Sequence, residues 1–408
     1  MRALEELQKT VSPGNGADSL ANTGPKSRPL HVVTLTPFYP SLEDSVRGCF
    51  VAESLRQMEL CGVRSSVIAV ENIYHPRRQA DVRAPAQWVR YAQIPGNLGL
   101  STAGGFLGVR LLSHVRSLHA KLPIDVIHAH AALPCGHAAS FLSTRLGIPF
   151  VVTVHGLDVF NSCFESGSAA GWRRNASLRV YERARNVICI SEKVEQRISN
   201  GAGASVSTAV VYNGTDVEFF APGSAPEEPA TILIVGNVLR GKGHELVLRA
   251  LARLQPMHPN LQCRIIGEGA DRQRFEILAR DLGIAERVHF LGRRDRAGVA
   301  AEMRACTTFV LPSRFEGLGC VYLEAMACGK PVIGCRGQGI DEIIEHGVNG
   351  WLIPVDGLAE LEQGLNILLS DAGRRRKIGE AARNTIVTRF TLSHQAANLI
   401  EIYRRAVR

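Results

Sequence analysis

The sequence predicts two doubly wound α/β domains in tandem, each a parallel sheet covered by helices on both faces. Three observations carry that expectation. Short β-branched runs alternate with helix-length amphipathic segments over most of the chain. The alternation breaks once, at a Pro- and Glu-rich stretch (PGSAPEEPA, 222–230), and then restarts. The chain has 408 residues, too many for one ordinary domain and comfortable for two of about 150–200.

In order, residues 1–28 are rich in Gly, Ser, Asn and Pro without an apolar period and read as a disordered leader. HVVTLTP, from His31, reads as the first strand, followed by a helix-length segment from Arg47 to Cys61 and a second strand, SSVIAV. DVIHAH, PFVVTVHG and RNVICIS repeat the theme and complete a first domain over 29–221. TILIVG, LQCRIIG, VHFLG, TTFVLP and KPVIG, each trailed by a helical segment, build a second over 222–390. The last stretch, 391–408, sets Leu399, Ile400, Ile402 and Tyr403 on a helical pattern; this helix could pack on either domain, including back on the first. Two such sheets turn the carboxyl ends of their strands towards a shared cleft.

Composition narrows the function classes. With 45% apolar and 21% charged residues the chain is neither largely disordered nor fibrous. No apolar run approaches the roughly 18–20 residues of a membrane span. No apolar region follows Arg2, Glu5 and Glu6, so no secretory signal is readable. Ten cysteines show no CxxC pair and no zinc-like spacing, and read as buried small hydrophobes in a reducing compartment. The net charge of +9 is spread evenly except over 74–145. There Arg77, Arg78, Arg83, Arg90, Arg110, Arg116, Lys121 and Arg145 face only Asp81 and Asp125. Such an excess suits an anionic surface, phosphate or lipid headgroup. No nucleic-acid module accompanies it, and no nucleic-acid partner is expected.

The stretch richest in chemistry is PSRFEGLGCVYLEAMACG, 312–329. Glu316 falls in a loop just past the strand TTFVLP, and Gly317 and Gly319 let backbone approach a ligand closely. A helix is expected from Cys320, its free amides turned back into the loop where a phosphate would bind. Glu324, eight positions after Glu316, lies on that helix, so two carboxylates bracket an anion site. That makes sense if each accepts hydrogen bonds from sugar hydroxyls. The plainer alternative is a helix start with an acidic residue in the field of its dipole.

These residues resemble the nucleotide-sugar signature of glycosyltransferase family 4, a retaining family of GT-B fold, with Glu316 and Glu324 in its Glu-x7-Glu motif. The resemblance runs from His31 to the C-terminus through TPFYP, TVHGLD, ICISEKV, VVYNGTD, VGNVLRGKG, IIGEGADR and NGWLIPVDG. GQGIDEII, 337–344, is similar to bacterial members that build surface polysaccharides. It implies a nucleoside-diphosphate sugar as donor, a glycan or lipid-linked acceptor, and no cofactor or metal; no Asp-x-Asp metal motif is present.

Roles follow from the resemblance, residue by residue. Glu316 would bind donor-sugar hydroxyls and Glu324 the ribose, while the amides of Leu318, Gly319 and Cys320 hold the diphosphate. Lys242 would neutralise the leaving phosphate. Where the family usually has an Arg, this chain has Asn237, and Arg240 either replaces that cation or is a solvated loop residue. Gly267 joins the donor site, and Gly48 lets backbone approach the donor, although the usual Gly-Gly pair is Arg47-Gly48 here. His155 would stand against the donor sugar, with Asp158 orienting it or touching the acceptor. His128 and His130 are read as alternating along a strand end, so that one faces the cleft and the other the core.

In GFLGVRLLSHVRSLHAKL, Phe106, Val109, Leu112 and Val115 recur at helical spacing beside Arg110, Arg116 and Lys121. The expectation is a cytoplasmic protein attached peripherally to the inner face of the membrane; the alternative is an ordinary amphipathic helix packed on its sheet. Two other functions compete: a sugar-nucleotide 2-epimerase of the same fold, which would need no acceptor, and a non-catalytic paralogue that binds a partner transferase. A dinucleotide-binding pair of Rossmann halves fails, since TPFYP stands where G-x-G-x-x-G would.

Overall fold

The computed structural model describes residues 28–74, 85–94, 99–156, 168–202, 206–223, 228 and 230–408. The leader up to residue 27, Arg77, Arg78, Arg83 and Asp158 lie outside the described residues.

Two parallel sheets form the protein. The first holds β1 (His31–Thr36), β2 (Arg64–Asn72), β3 (Gln87–Tyr91), β4 (Val126–His130), β5 (Phe150–Val154), β6 (Asn186–Cys189) and β7 (Thr208–Val210), in the order β3-β2-β1-β4-β5-β6-β7. The second holds β8 (Thr231–Val235), β9 (Gln262–Ile266), β10 (Val288–Gly292), β11 (Thr308–Val310), β12 (Val332–Cys335) and β13 (Trp351–Ile353), in the order β10-β9-β8-β11-β12-β13. Strands such as β1, β4, β5 and β8 are buried at every position, which is why they read as mainly apolar runs with no polar face. In each sheet the chain reverses direction once, between β1 and β4 and between β8 and β11. At such a switch point the loops at the strand ends part and leave a crevice for a ligand.

The helices of the first half are α1 (Cys49–Leu60), α2 (Gly99–Lys121), α3 (His137–Leu146), α4 (Ser168–Arg183) and α5 (Glu192–Ala202). Those of the second are α6 (His244–Leu254), α7 (Arg272–Asp281), α8 (Arg296–Ala305), α9 (Cys320–Ala327), α10 (Leu358–Ser370) and α11 (Ala372–Arg389). The last, α12 (Leu392–Val407), opens with a capping box between Thr391 and His394. It returns to the first sheet, burying Leu399, Ile400 and Tyr403 with Val51, Leu55 and Met58 of α1. The chain passes between the two halves where Thr215 and Thr391 bridge, with Leu392 N–H donating to Thr215 O.

Two sequence expectations change. Val115 of α2 is buried with Ala103, Leu107 and Leu111, and Leu112 is half-buried, whereas Phe106 and Val109 are exposed. The core-facing stripe thus follows the i, i+4 line through 103, 107, 111 and 115, and the four residues do not form one outward face. His128 and His130 share a face of β4 rather than alternating, because residues two apart on a strand point the same way. Their rings lie 4.4 Å apart.

The nine described cysteines are free, and six of them are buried.

Candidate active site

The ends of β8 and β11 bring the charged residues together. After β8 the chain turns through Asn237 and Arg240 to Lys242, which precedes α6; after β11 it runs through Glu316 into α9. Lys242 Nζ lies 2.6 Å from Glu316 Oε2, with the two side chains 23% and 16% exposed. Low exposure matters here, since a pair this dry is weakly screened and holds its geometry. Gln338 Oε1 accepts from the Glu316 amide at 3.1 Å, and the Gly339 amide donates to Glu316 O. The segment 337–344 therefore braces the Glu316 loop. The Tyr322 hydroxyl donates to the Leu311 carbonyl and ties α9 to the end of β11.

Among the described residues, nothing accepts a hydrogen bond from the amides of Leu318, Gly319 and Cys320. They form the start of α9, beside the Lys242–Glu316 pair. Unpaired donors at a helix N-terminus next to a lysine make a place for an anion. Gly267 ends β9 with its Cα against the Gly236 carbonyl, where a Cβ would sit 1.9 Å from the oxygen. Asn237 is exposed. Arg240 does not join the pair: it is 72% exposed and its Nε lies 3.2 Å from Asp271 Oδ1.

Glu324 stands on the second turn of α9, half-buried. Burial pushes its carboxyl up to about 7, helped by the charge of Glu53 and opposed by Arg296. Glu53, on α1, is likewise pushed up to about 7, chiefly by burial against the pull of Arg296. Arg296 Nε sits 2.8 Å from Glu53 Oε1, close enough for an ion pair but not aligned as a hydrogen bond. Its guanidinium lies over the rings of Phe219 and Phe220. A cavity of about 570 Å³ opens here between α1 and the start of α8, lined by Tyr39, Glu53, Arg56, Phe219 and Arg296.

From the first sheet come Gly48 and His155. Gly48 caps α1 at φ 67°, and a Cβ there would sit 2.3 Å from the Phe38 carbonyl carbon, so the loop after β1 closes only on glycine. Arg47 turns back, Nη2 donating to Pro37 O at 3.0 Å. His155 follows β5, walled by Phe38 and Phe50. Its Nε2 is 2.9 Å from His130 Nδ1, and burial lowers its pKa to about 4, so the ring is neutral.

Several contacts hold the two halves face to face. Ser191 Oγ donates to Gly317 O at 2.6 Å, and Arg293 Nη1 lies 3.1 Å from Asp44 Oδ2. Glu342 accepts from the amides of Glu192 and Lys193 at 2.8 and 2.7 Å, capping α5 from across the cleft. Glu53, Arg296 and Glu342 were not legible as site residues, because their partners lie more than a hundred positions away in the chain. Gln338 lay in the GQGIDEII run without a role of its own, and His130 was one of two histidines of which one was expected in the cleft.

Two family models cover most of the chain: glycosyltransferase family 4 over residues 50–219 and glycosyl transferases group 1 over residues 216–385. The chain is 31% identical over 311 residues to D-inositol 3-phosphate glycosyltransferase of Corynebacterium kroppenstedtii, covering 71% of this chain and 68% of that one. Sucrose-phosphate synthase from Thermosynechococcus elongatus superposes with a TM-score of 0.73 at 21% identity, covering 92% of this chain and 98% of that one. Anabaena HepE, solved with UDP and glucose, also gives 0.73, at 20% identity, covering 92% and 100%. The two family models meet at 216–219, beside the Thr215–Thr391 crossing, and the structural likenesses span both sheets. The chain therefore belongs to glycosyltransferase family 4 and is a glycosyltransferase of GT-B fold.

Proposed function

We propose that the protein moves a sugar from a nucleoside-diphosphate sugar to a glycan or lipid-linked acceptor with retention at the anomeric carbon, in surface polysaccharide assembly. The observation that carries this reading is the Lys242–Glu316 pair beside the three open amides of Leu318, Gly319 and Cys320. Glu316 accepts hydrogen bonds from the donor sugar and Glu324 from the ribose. Lys242 and the start of α9 meet the diphosphate, whose charge grows as the bond to the anomeric carbon breaks. The acceptor oxygen bonds to that carbon on the face the diphosphate leaves, and its proton passes to a departing phosphate oxygen. The protein supplies position and charge, needing neither a nucleophilic side chain nor a metal. Supplying sugar nucleotides with and without candidate acceptors tests this. The expected result is acceptor-dependent release of nucleoside diphosphate and a product whose anomeric proton coupling matches the donor. An inverted product would overturn retention, and conversion of the sugar nucleotide without acceptor would point to an epimerase.

We also propose attachment to the inner face of the cytoplasmic membrane. No helix among the described residues is long and apolar enough to cross a membrane. Support comes from α2, α3 and α4, which pack side by side. They carry Arg110, Arg116, Lys121, Arg145, Arg174, Arg179 and Arg183 at the surface, with Glu182 as the acidic residue among them. Phe106, Val109 and Trp172 are 55%, 64% and 60% exposed on the same helices, suiting insertion between headgroups. At about 1 kcal/mol per basic residue near an anionic leaflet, binding is reversible and salt-sensitive. Sedimentation with phosphatidylglycerol vesicles should carry the protein down at low salt and release it at high salt. Protein left in the supernatant at low salt would contradict attachment.

A further inference from the structure

The His128–His130 pair, two buried imidazoles on β4, has no part in the chemistry above, yet it leads to His155. The His130 and His155 ring planes differ by 10° with centroids 5.1 Å apart. That separation matches the 2.9 Å between His130 Nδ1 and His155 Nε2 plus the two ring radii, so the rings lie edge to edge in one plane, in good hydrogen-bond alignment. Phe38 and Phe50 wall the His155 ring at centroid distances of 5.6 and 5.1 Å. With Nε2 tied to His130, the remaining nitrogen, Nδ1, has no partner among the described residues.

His130 is itself held. His128 packs against it at 4.4 Å. Both nitrogens of His128 are bound, Nδ1 to the Tyr403 hydroxyl and Nε2 to Thr153 Oγ1, each at 2.7 Å. Tyr403 belongs to α12, the helix that returns from the far end of the chain. Burial lowers the pKa of both His128 and His130, so the three rings are neutral together. A neutral imidazole carries one proton, so the pair shares a single N–H···N bond whichever ring donates it.

We propose that His130 is a positioning residue for the transfer reaction: its Nδ1 bond to His155 Nε2 locks the orientation of the His155 ring, so that Nδ1 of His155 is the nitrogen presented to the donor sugar. The proposal rests on the reading of His155 as a donor-sugar contact. It assigns the His130 bond, braced by His128 and Tyr403, the task of fixing that contact before the donor arrives.

Asparagine and glutamine in place of His130 separate positioning from mere filling of space. The shorter asparagine amide would reach the place of Nδ1, whereas the longer glutamine amide reaches past it towards that of Nε2. Ring-proton contacts to Phe38 and Phe50 in NMR spectra of the full-length protein read the orientation of the His155 ring, its signals being assigned by their loss in His155→Gln. Wild type and His130→Asn should both show a single orientation of the His155 ring, which does not titrate between about pH 5.5 and 8. His130→Gln and His130→Leu should show mixed ring orientations, with kcat down about 10–100-fold and donor KM within about threefold. His130→Asn should keep kcat within about tenfold of wild type. If His130→Leu fails to fold, the contrast between asparagine and glutamine decides alone. More than one ring orientation in the wild type, or His130→Asn and His130→Gln alike in ring orientation and kcat, would overturn the proposal. If no sugar nucleotide is turned over at all, the reading of the function fails, and the spectra still decide whether His130 locks the ring.

Discussion

Glu316→Gln is expected to lower turnover by at least about 100-fold while leaving nucleoside-diphosphate affinity close to wild type. Glu316 sits between the lysine that meets the phosphate and the loop where the sugar must lie. As a carboxylate it accepts from hydroxyls and from Lys242 Nζ at 2.6 Å. Hydrogen bonds to a charged acceptor contribute about 1.5–3 kcal/mol each, so losing one acceptor oxygen and the charge behind the other in the transition state gives the stated fall. Glutamine keeps the shape and one acceptor oxygen, so the loop braced by Gln338 and Gly339 stays in place. Initial rates and calorimetric titration with nucleoside diphosphate, run on the same preparation, check both halves. Near-normal turnover would remove Glu316 from the chemistry.

Lys242→Ala should weaken both donor affinity and turnover, and Arg240→Ala should leave both within about twofold. The two residues are neighbours in sequence but not in role. Lys242 is three-quarters buried against Glu316, while Arg240 is exposed and engaged with Asp271 at the start of α7. Removing one preorganised charge from a departing diphosphate costs about 2.7–4 kcal/mol, or roughly 100- to 1000-fold in kcat. Loss of Lys242 also leaves Glu316 half-buried without its cation, which raises the cost. A damaged Arg240→Ala would mean that Arg240 leaves Asp271 when donor binds and takes the place of the cation absent at Asn237.

The architecture was legible because parallel strands buried on both faces, such as TILIV and FVVTV, are apolar at all but one position each. Glu316 and Glu324 were legible because loop, glycines and helix start lie within one short run. The terminal helix showed its apolar pattern, but its docking surface on α1 could not be read, since either domain offers an apolar face. His128 and His130 were misread through the period of the strand. The α2 face was half right: Phe106 and Val109 do reach solvent, but the core takes Val115 and part of Leu112. Contacts that close the cleft, Glu53 with Arg296 and Glu342 with the start of α5, join residues more than a hundred positions apart. Each is a charged residue on an amphipathic helix or loop, indistinguishable in sequence from a solvated one. Such pairs become visible only when the two sheets face each other.

The central claim is that the start of α9, Lys242 and Glu316 together form the donor site. A crystal structure of the full chain with a nucleoside diphosphate tests it most directly. The account predicts phosphate oxygens about 3 Å from Lys242 Nζ and from the amides of Gly319 and Cys320, with the ribose hydroxyls on Glu324. A diphosphate bound elsewhere, with Lys242 still on Glu316 and those amides unoccupied, would contradict it.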